Sequence, residues 1–181
     1  MIFENLRYRV AHLLLRRKQA GFNRQKALYD FASAKNVGIL TAVQDEAGIA
    51  HVKEFLSYLA RNSVKYTVFG YFIGKTIPEN FLYLKDMDFI TSDDLSFFYI
   101  PEGDNIQKFI DEQFDMLINC NIANHFPVEY IAQLSHAKCK VAIMREKAHG
   151  YDLLIDISKE RTIDYFLKNL VVYLTNLKIS K

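Results

Sequence analysis

Two short polar stretches carry the residues best suited to holding a ligand. Gln44-Asp45-Glu46 follows the apolar run 37–43, and Asn119, Asn121, Asn124 and His125 end or follow the run 115–121. Amides donate and accept hydrogen bonds and carboxylates accept them, so this set suits the hydroxyls of a sugar-like or nucleoside-like metabolite. Ordinary loops use the same residue types, because Asn tolerates turn conformations.

Other chemistries lack their marks. The chain has no GxGxxG, GxxxxGK[ST] or GxSxG, and Asp45, Glu46 and Glu129 would repel a phosphate at the two helix starts they occupy. His12, His51, His125, His136 and His149 show no HxxxH or HExxH spacing, and no local spacing fixes a histidine beside Cys120 or Cys139. We expect no cofactor of the ordinary nucleotide kind, no metal centre, and no recognisable catalytic set.

The elements that must position these residues centre on Phe114 to Met144. Residues 115–121 are apolar without alternation, as in a strand covered on both faces. Pro127 fits the first turn of a helix whose buried side is Val128, Ile131, Ala132 and Leu134, and residues 139–144 return as a second strand. Strand, crossover helix and strand make a parallel βαβ unit.

Around it, residues 37–43 predict a first strand, 47–61 a helix, 66–73 a second strand, 105–112 a helix and 162–177 a closing helix. Residues 79–103 read as an insertion with short aromatic strands at 81–84 and 97–100. The seven or so residues between Met144 and the run 152–157 are too few for a crossover helix, which predicts an antiparallel last strand. The expected fold is α/β: a three-layer sandwich with a mostly parallel, five-stranded, Rossmann- or flavodoxin-like sheet. Strand order 2-1-3-4-5 would put a ligand crevice between the strands at 37–43 and 115–121, at their carboxyl ends.

A chain of 181 residues with 50% hydrophobic and 24% charged residues suits one globular domain. No apolar run approaches the roughly 20 residues of a membrane span, and no secretory leader is apparent. Two core cysteines read as reduced thiols, so the expected location is cytoplasmic.

The net charge of +2 is unevenly spread. Residues 1–35 hold eight Lys/Arg against Glu4 and Asp30, and the rest is net acidic. We read 1–35 as a basic helical arm, with helices at 2–20 and 23–34, and 36–181 as a single α/β domain. Phe3, Leu6, Val10, Leu13 and Leu14 form an apolar side to the first helix; Arg7, Arg9, Arg16, Arg17 and Lys18 are candidate anion or surface contacts. Packing on the domain is the first expectation for this helix, an anionic membrane surface the second, and nucleic acid is disfavoured.

The stretch FDMLINCNIANHFPVEYIAQLSHAKCKVAI, with YDLLIDIS and VVYLTNL after it, resembles a family of uncharacterised small bacterial proteins of the Bacteroidetes type. FDMLIN with AQLSHAKCKVAI is more loosely similar to the first domain of heptosyltransferase-like glycosyltransferases, which need a second domain that 181 residues cannot supply. The first resemblance implies a fold and a cytoplasmic location without catalytic residues. The expected function is a non-catalytic binding or adaptor protein that can self-associate; the alternative is a small enzyme or ligand-binding protein for a sugar-like or nucleoside-like metabolite at the carboxyl edge of the sheet.

Overall fold

The computed structural model describes residues 2–82, 84, 87–146 and 148–177; the side chains of Ile2, Glu46, Ala47, Asn80 and Leu82 lie outside that description. The elements are α1 (Ile2–Ala20), β1 (Asn36–Val43), α2 (Glu46–Arg61), β2 (Lys65–Phe72), α3 (Glu79–Leu82), β3 (Met87–Ile90), α4 (Asp104–Asp111), β4 (Met116–Asn119), α5 (Phe126–Leu134), β5 (Cys139–Ile143), β6 (Leu153–Ile155) and α6 (Ile163–Asn176).

All six strands are parallel, in the order β3-β2-β1-β4-β5-β6. This is the order of a doubly wound, Rossmann-like sheet, and it reverses between β1 and β4. Both β4 and β5 are buried at every position, which explains their unbroken apolar sequences. Val37, Ile39 and Val43 of β1 join the core beneath α2 and α6, while Leu40 faces the other layer with Phe109 of α4 and Ile131 of α5.

Two features of the sheet correct the sequence reading. There are six strands rather than five, because Met87–Ile90 adds an edge strand within the 79–103 segment. Its Phe89 ring packs over Gly70 of β2, where a Cβ would collide with it. The aromatic run 97–100 is loop instead of strand, and Phe81 sits in the single turn of α3.

The last strand is parallel to its neighbour, not antiparallel. The connection from Ile143 to Leu153 has nine residues and needs no helix. Strands of three to five residues span only about 10–17 Å, and nine extended residues reach about 30 Å. The connection is fastened to α5 instead: Gln133 Nε2 donates to the His149 carbonyl at 2.6 Å, and Gly150 turns with φ +82° against the Gln133 side chain.

α5 is buried at every residue except Glu129. A helix apolar all round must be covered on both sides, and α1 supplies the outer cover. Ala11 and Leu15 of α1 are buried, the rings of Tyr8 and His12 meet Phe126 edge-on at 6.4 and 5.0 Å, and Lys18 lies 5.4 Å over Tyr130. The packed face is not the expected one: Phe3, Leu6 and Leu13 point to solvent.

The expected helix at 23–34 is absent; residues 22–30 form no regular element, and Arg24 and Ala27 bond to Lys138 just before β5. Arg24, with 6% of its side chain exposed, forks onto Asp152 at 2.7 and 2.6 Å and donates to the carbonyls of Ala137 and Lys138. The Ala27 amide also donates to Lys138. Those long-range bonds outweigh the weak intrinsic stability of a short helix.

Candidate functional site

Where β1 and β4 diverge, the crevice expected of a switch point is filled by the protein's own amides. Asn121, 5% exposed, accepts from the Ala42 amide and donates to Leu40 O (3.4 Å) and to Asn119 Oδ1 (2.6 Å). Asn119, 1% exposed, donates to the Tyr151 hydroxyl at 2.6 Å. Tyr151 in turn donates to Glu129 Oε2 at 3.0 Å, where Arg145 makes an ion pair of 3.0 Å. Burial, then the neighbouring Glu129 charge, raises the Tyr151 hydroxyl far above its ordinary range, so it stays a neutral donor. These two asparagines therefore tie β4 to β1 and to the last crossover.

Gln44 is exposed and Asp45 caps α2, accepting from the Gly48 amide at 2.9 Å. Glu46 opens α2, and its side chain lies outside the described residues. Asn124 and His125 sit instead at the start of α5 and line a cavity of about 400 Å³ with Tyr71, at the end of β2, and Arg7 and Tyr8 of α1. Its remaining wall is the 92–99 loop, with Ser92, Ser96, Phe97 and Tyr99.

The loop is held in one shape. A capping box at Thr91 and Asp94 starts it, Ser96 N donates to Ile100 O at 2.8 Å, and Leu95 bridges to Pro101. Tyr99 has φ +59°, a left-handed conformation that costs a tyrosine about 1–2 kcal/mol. It brings the ring onto Tyr8, stacked at 4.6 Å, with the Arg7 guanidinium 4.1 Å from its centroid. Arg7 also lies 4.4 Å over Phe97 and donates Nε to the Phe97 carbonyl at 2.6 Å.

A second ring pair in the lining is Tyr71 with His125, their rings 6.0 Å apart. Burial, then the Arg145 charge, lowers the His125 imidazole, so it is neutral at pH 7 and one ring nitrogen is an acceptor. Burial, then Tyr8, raises the Tyr71 hydroxyl. Among the described residues the lining contains no carboxylate and no thiol. The arrangement offers flat ring walls, hydroxyls, an amide, an imidazole and a guanidinium, which bind polar ring compounds by stacking and hydrogen bonding.

A larger depression of about 500 Å³ lies between α1, α4 and α5, bounded by Lys18, Phe22, Tyr130 and His136. It runs along α4, from Ile100 and Gly103 before the helix to Asp111 at its end and His136 before β5, whereas the smaller cavity takes its strand residue, Tyr71, from the carboxyl end of β2, so position favours the smaller cavity. His51, Glu54 and Asp164 bring ligand atoms within 4.8 Å of one another at the surface, where His51 lies 3.9 and 3.8 Å from the two carboxylates. The thiols are inert: burial pushes Cys120 up to about 12 and Cys139 up to about 11. Of the basic candidates, Arg7 is half-buried against aromatic rings, Lys18 is exposed with its ammonium over Tyr130, and Arg9, Arg16 and Arg17 are exposed.

Sequence spacing pointed to Asn124 and His125 because they follow a core strand. Tyr8, Tyr71 and Tyr99 come from three distant segments, and only the positive φ at Tyr99 marks one of them as unusual. No described helix is long and apolar enough to cross a membrane. No curated protein matches the chain, and the likeness to heptosyltransferase-like enzymes finds no support. A model for a family of unknown function, DUF6913, matches residues 6–177, and the chain belongs to that family.

Proposed function

We propose that this protein is a non-catalytic binding protein whose ligand is a nucleoside-like or sugar-like metabolite held in the cavity between α1, the 92–99 loop and the start of α5. The observation that carries the reading is the pair of ring clusters in one cavity lining: Tyr8 stacked on strained Tyr99, and Tyr71 with His125. Strained backbone concentrates at ligand clamps, and the carboxyl edge of a Rossmann-like sheet is where such ligands sit. A volume near 400 Å³ accommodates one ring system with a sugar. Among the described residues the His125 imidazole has neither a carboxylate nor a thiol beside it in the cavity lining to make a catalytic pair, which favours holding over chemistry. Buried, reduced thiols suit a reducing compartment, so the proposal includes a cytoplasmic location.

The test is a panel of nucleosides and mono- and disaccharides read by thermal denaturation. A ligand at 100 times its dissociation constant adds about 2.7 kcal/mol. A hit abolished by His125→Ala and by Asn124→Ala, with circular dichroism and melting showing each variant folded, supports the reading. A hit that survives both places the ligand elsewhere and overturns it.

A further inference from the structure

α1 has two apolar faces, and only one is used inside the protein. Ala11 and Leu15 pack on α5; Phe3 (81% exposed), Leu6 (54%) and Leu13 (50%) form a stripe along the outside, with Val10 half-buried between them. Phe97 of the 92–99 loop, 69% exposed and resting on Arg7, extends that surface beside the helix. Arg9, Arg16 and Arg17 are exposed alongside.

We propose that this face docks α1 flat on an anionic lipid bilayer, with Phe3, Leu6 and Leu13 entering the headgroup boundary and Arg9, Arg16 and Arg17 meeting the lipid charges. An apolar stripe flanked by arginines is the composition of an interfacial helix. A second copy of the chain would bring the same three arginines against each other, where like charges oppose contact. Nucleic-acid phosphates would satisfy the arginines and leave the apolar stripe in water. An anionic bilayer satisfies both sets at once. The inference does not depend on what the cavity holds.

The test is co-sedimentation of the full chain with vesicles of phosphatidylcholine alone or mixed with phosphatidylglycerol. Binding is expected only to the anionic vesicles and should weaken when salt shortens electrostatic reach to about 8–10 Å. A Phe3→Ser, Leu6→Ser, Leu13→Ser variant and an Arg9→Gln, Arg16→Gln, Arg17→Gln variant should each lose roughly tenfold or more in partitioning. Because these side chains are exposed, both variants should melt near the parent. Val172→Ser with Tyr173→Ser on α6, also exposed, should leave binding unchanged and controls for general stickiness. Equal binding to neutral vesicles, or binding that neither α1 variant reduces, overturns the proposal. So does a vesicle-indifferent protein that sediments as a dimer and becomes a monomer with Leu6→Ser, which would assign the face to self-association.

Discussion

Asn119 of β4 donates its side-chain amide to the Tyr151 hydroxyl at 2.6 Å, joining the switch point of the sheet to its last crossover. Tyr151 passes the connection on to Glu129 of α5, which also accepts from Gln133 at 2.7 Å and pairs with Arg145. Gln133 then receives Gln19 of α1 at 2.9 Å. One polar chain thus links β1, β4, α5, the 144–152 connection and α1, and it replaces the open crevice that this strand order commonly leaves.

Tyr151→Phe tests that chain. It leaves the Asn119 side-chain amide without its acceptor and takes one of three donors from Glu129, which keeps Gln133 and Arg145, so stability should fall by about 1–3 kcal/mol with the fold retained. Urea melts measure it; a change near zero would mean that water substitutes freely for the hydroxyl.

Arg24→Met tests the path of residues 22–30. It strands the Asp152 carboxylate, 13% exposed, and removes donors from two carbonyls, so the expected loss is about 3–5 kcal/mol. Lys26 remains 3.6 Å from Asp152 but 70% exposed, and should recover little of it. A double-mutant cycle with Asp152→Asn should show strong coupling; additivity would contradict the arrangement.

Lys140 gives a pH dependence of definite sign. Burial, then the Arg24 charge, pulls its ammonium down to about 7 from 10.5, although Nζ donates to the Gln133 carbonyl at 3.0 Å in the last turn of α5. Between those pH values the unfolded chain binds a proton that the native protein refuses. The group's contribution therefore falls as pH drops from about 10.5 to about 7 and is level below. Lys140→Met should be more stable than the parent near neutral pH, by on the order of 1–3 kcal/mol, and should gain less between about pH 7 and 9. Cys120 and Cys139, raised from 9.0, act oppositely in both proteins as pH passes 9, so the difference between the two melts is the informative quantity. An unchanged slope would place the lysine in contact with water.

Removing residues 1–22 tests whether α1 completes the core. A chain starting at Asn23 keeps the Arg24 pair but uncovers Phe126, Tyr130 and the outer side of α5. It should lose more than about 2 kcal/mol and tend to aggregate. Unchanged melting would make α1 a detachable arm.

The legible parts of this fold were unbroken apolar runs and helical spacing. β1, β2, β4 and β5 are apolar because both faces are covered, and α2 and α6 show helical spacing. β3 escaped notice because four residues at an edge, with Asp88 exposed, leave no pattern. The direction of β6 turned on how far a connection must travel, and short strands made that distance small. At α1 the larger residues Phe3, Leu6 and Leu13 drew attention from Leu15 and from Ala11, whose small side chain lets the helix approach α5. Asn119 and Asn121 lie where β1 and β4 separate, but a sequence cannot reveal that Tyr151 and Ala42 already occupy them.

The most direct measurement is a backbone amide NMR titration of the full chain with the nucleoside and saccharide panel. The cavity reading predicts saturable shifts confined to Arg7, Tyr8, Tyr71, residues 92–99, Asn124 and His125, with the ring clamp at Tyr99 among the largest. Shifts centred on Lys18 and His136, or none from any member of the panel, would contradict it.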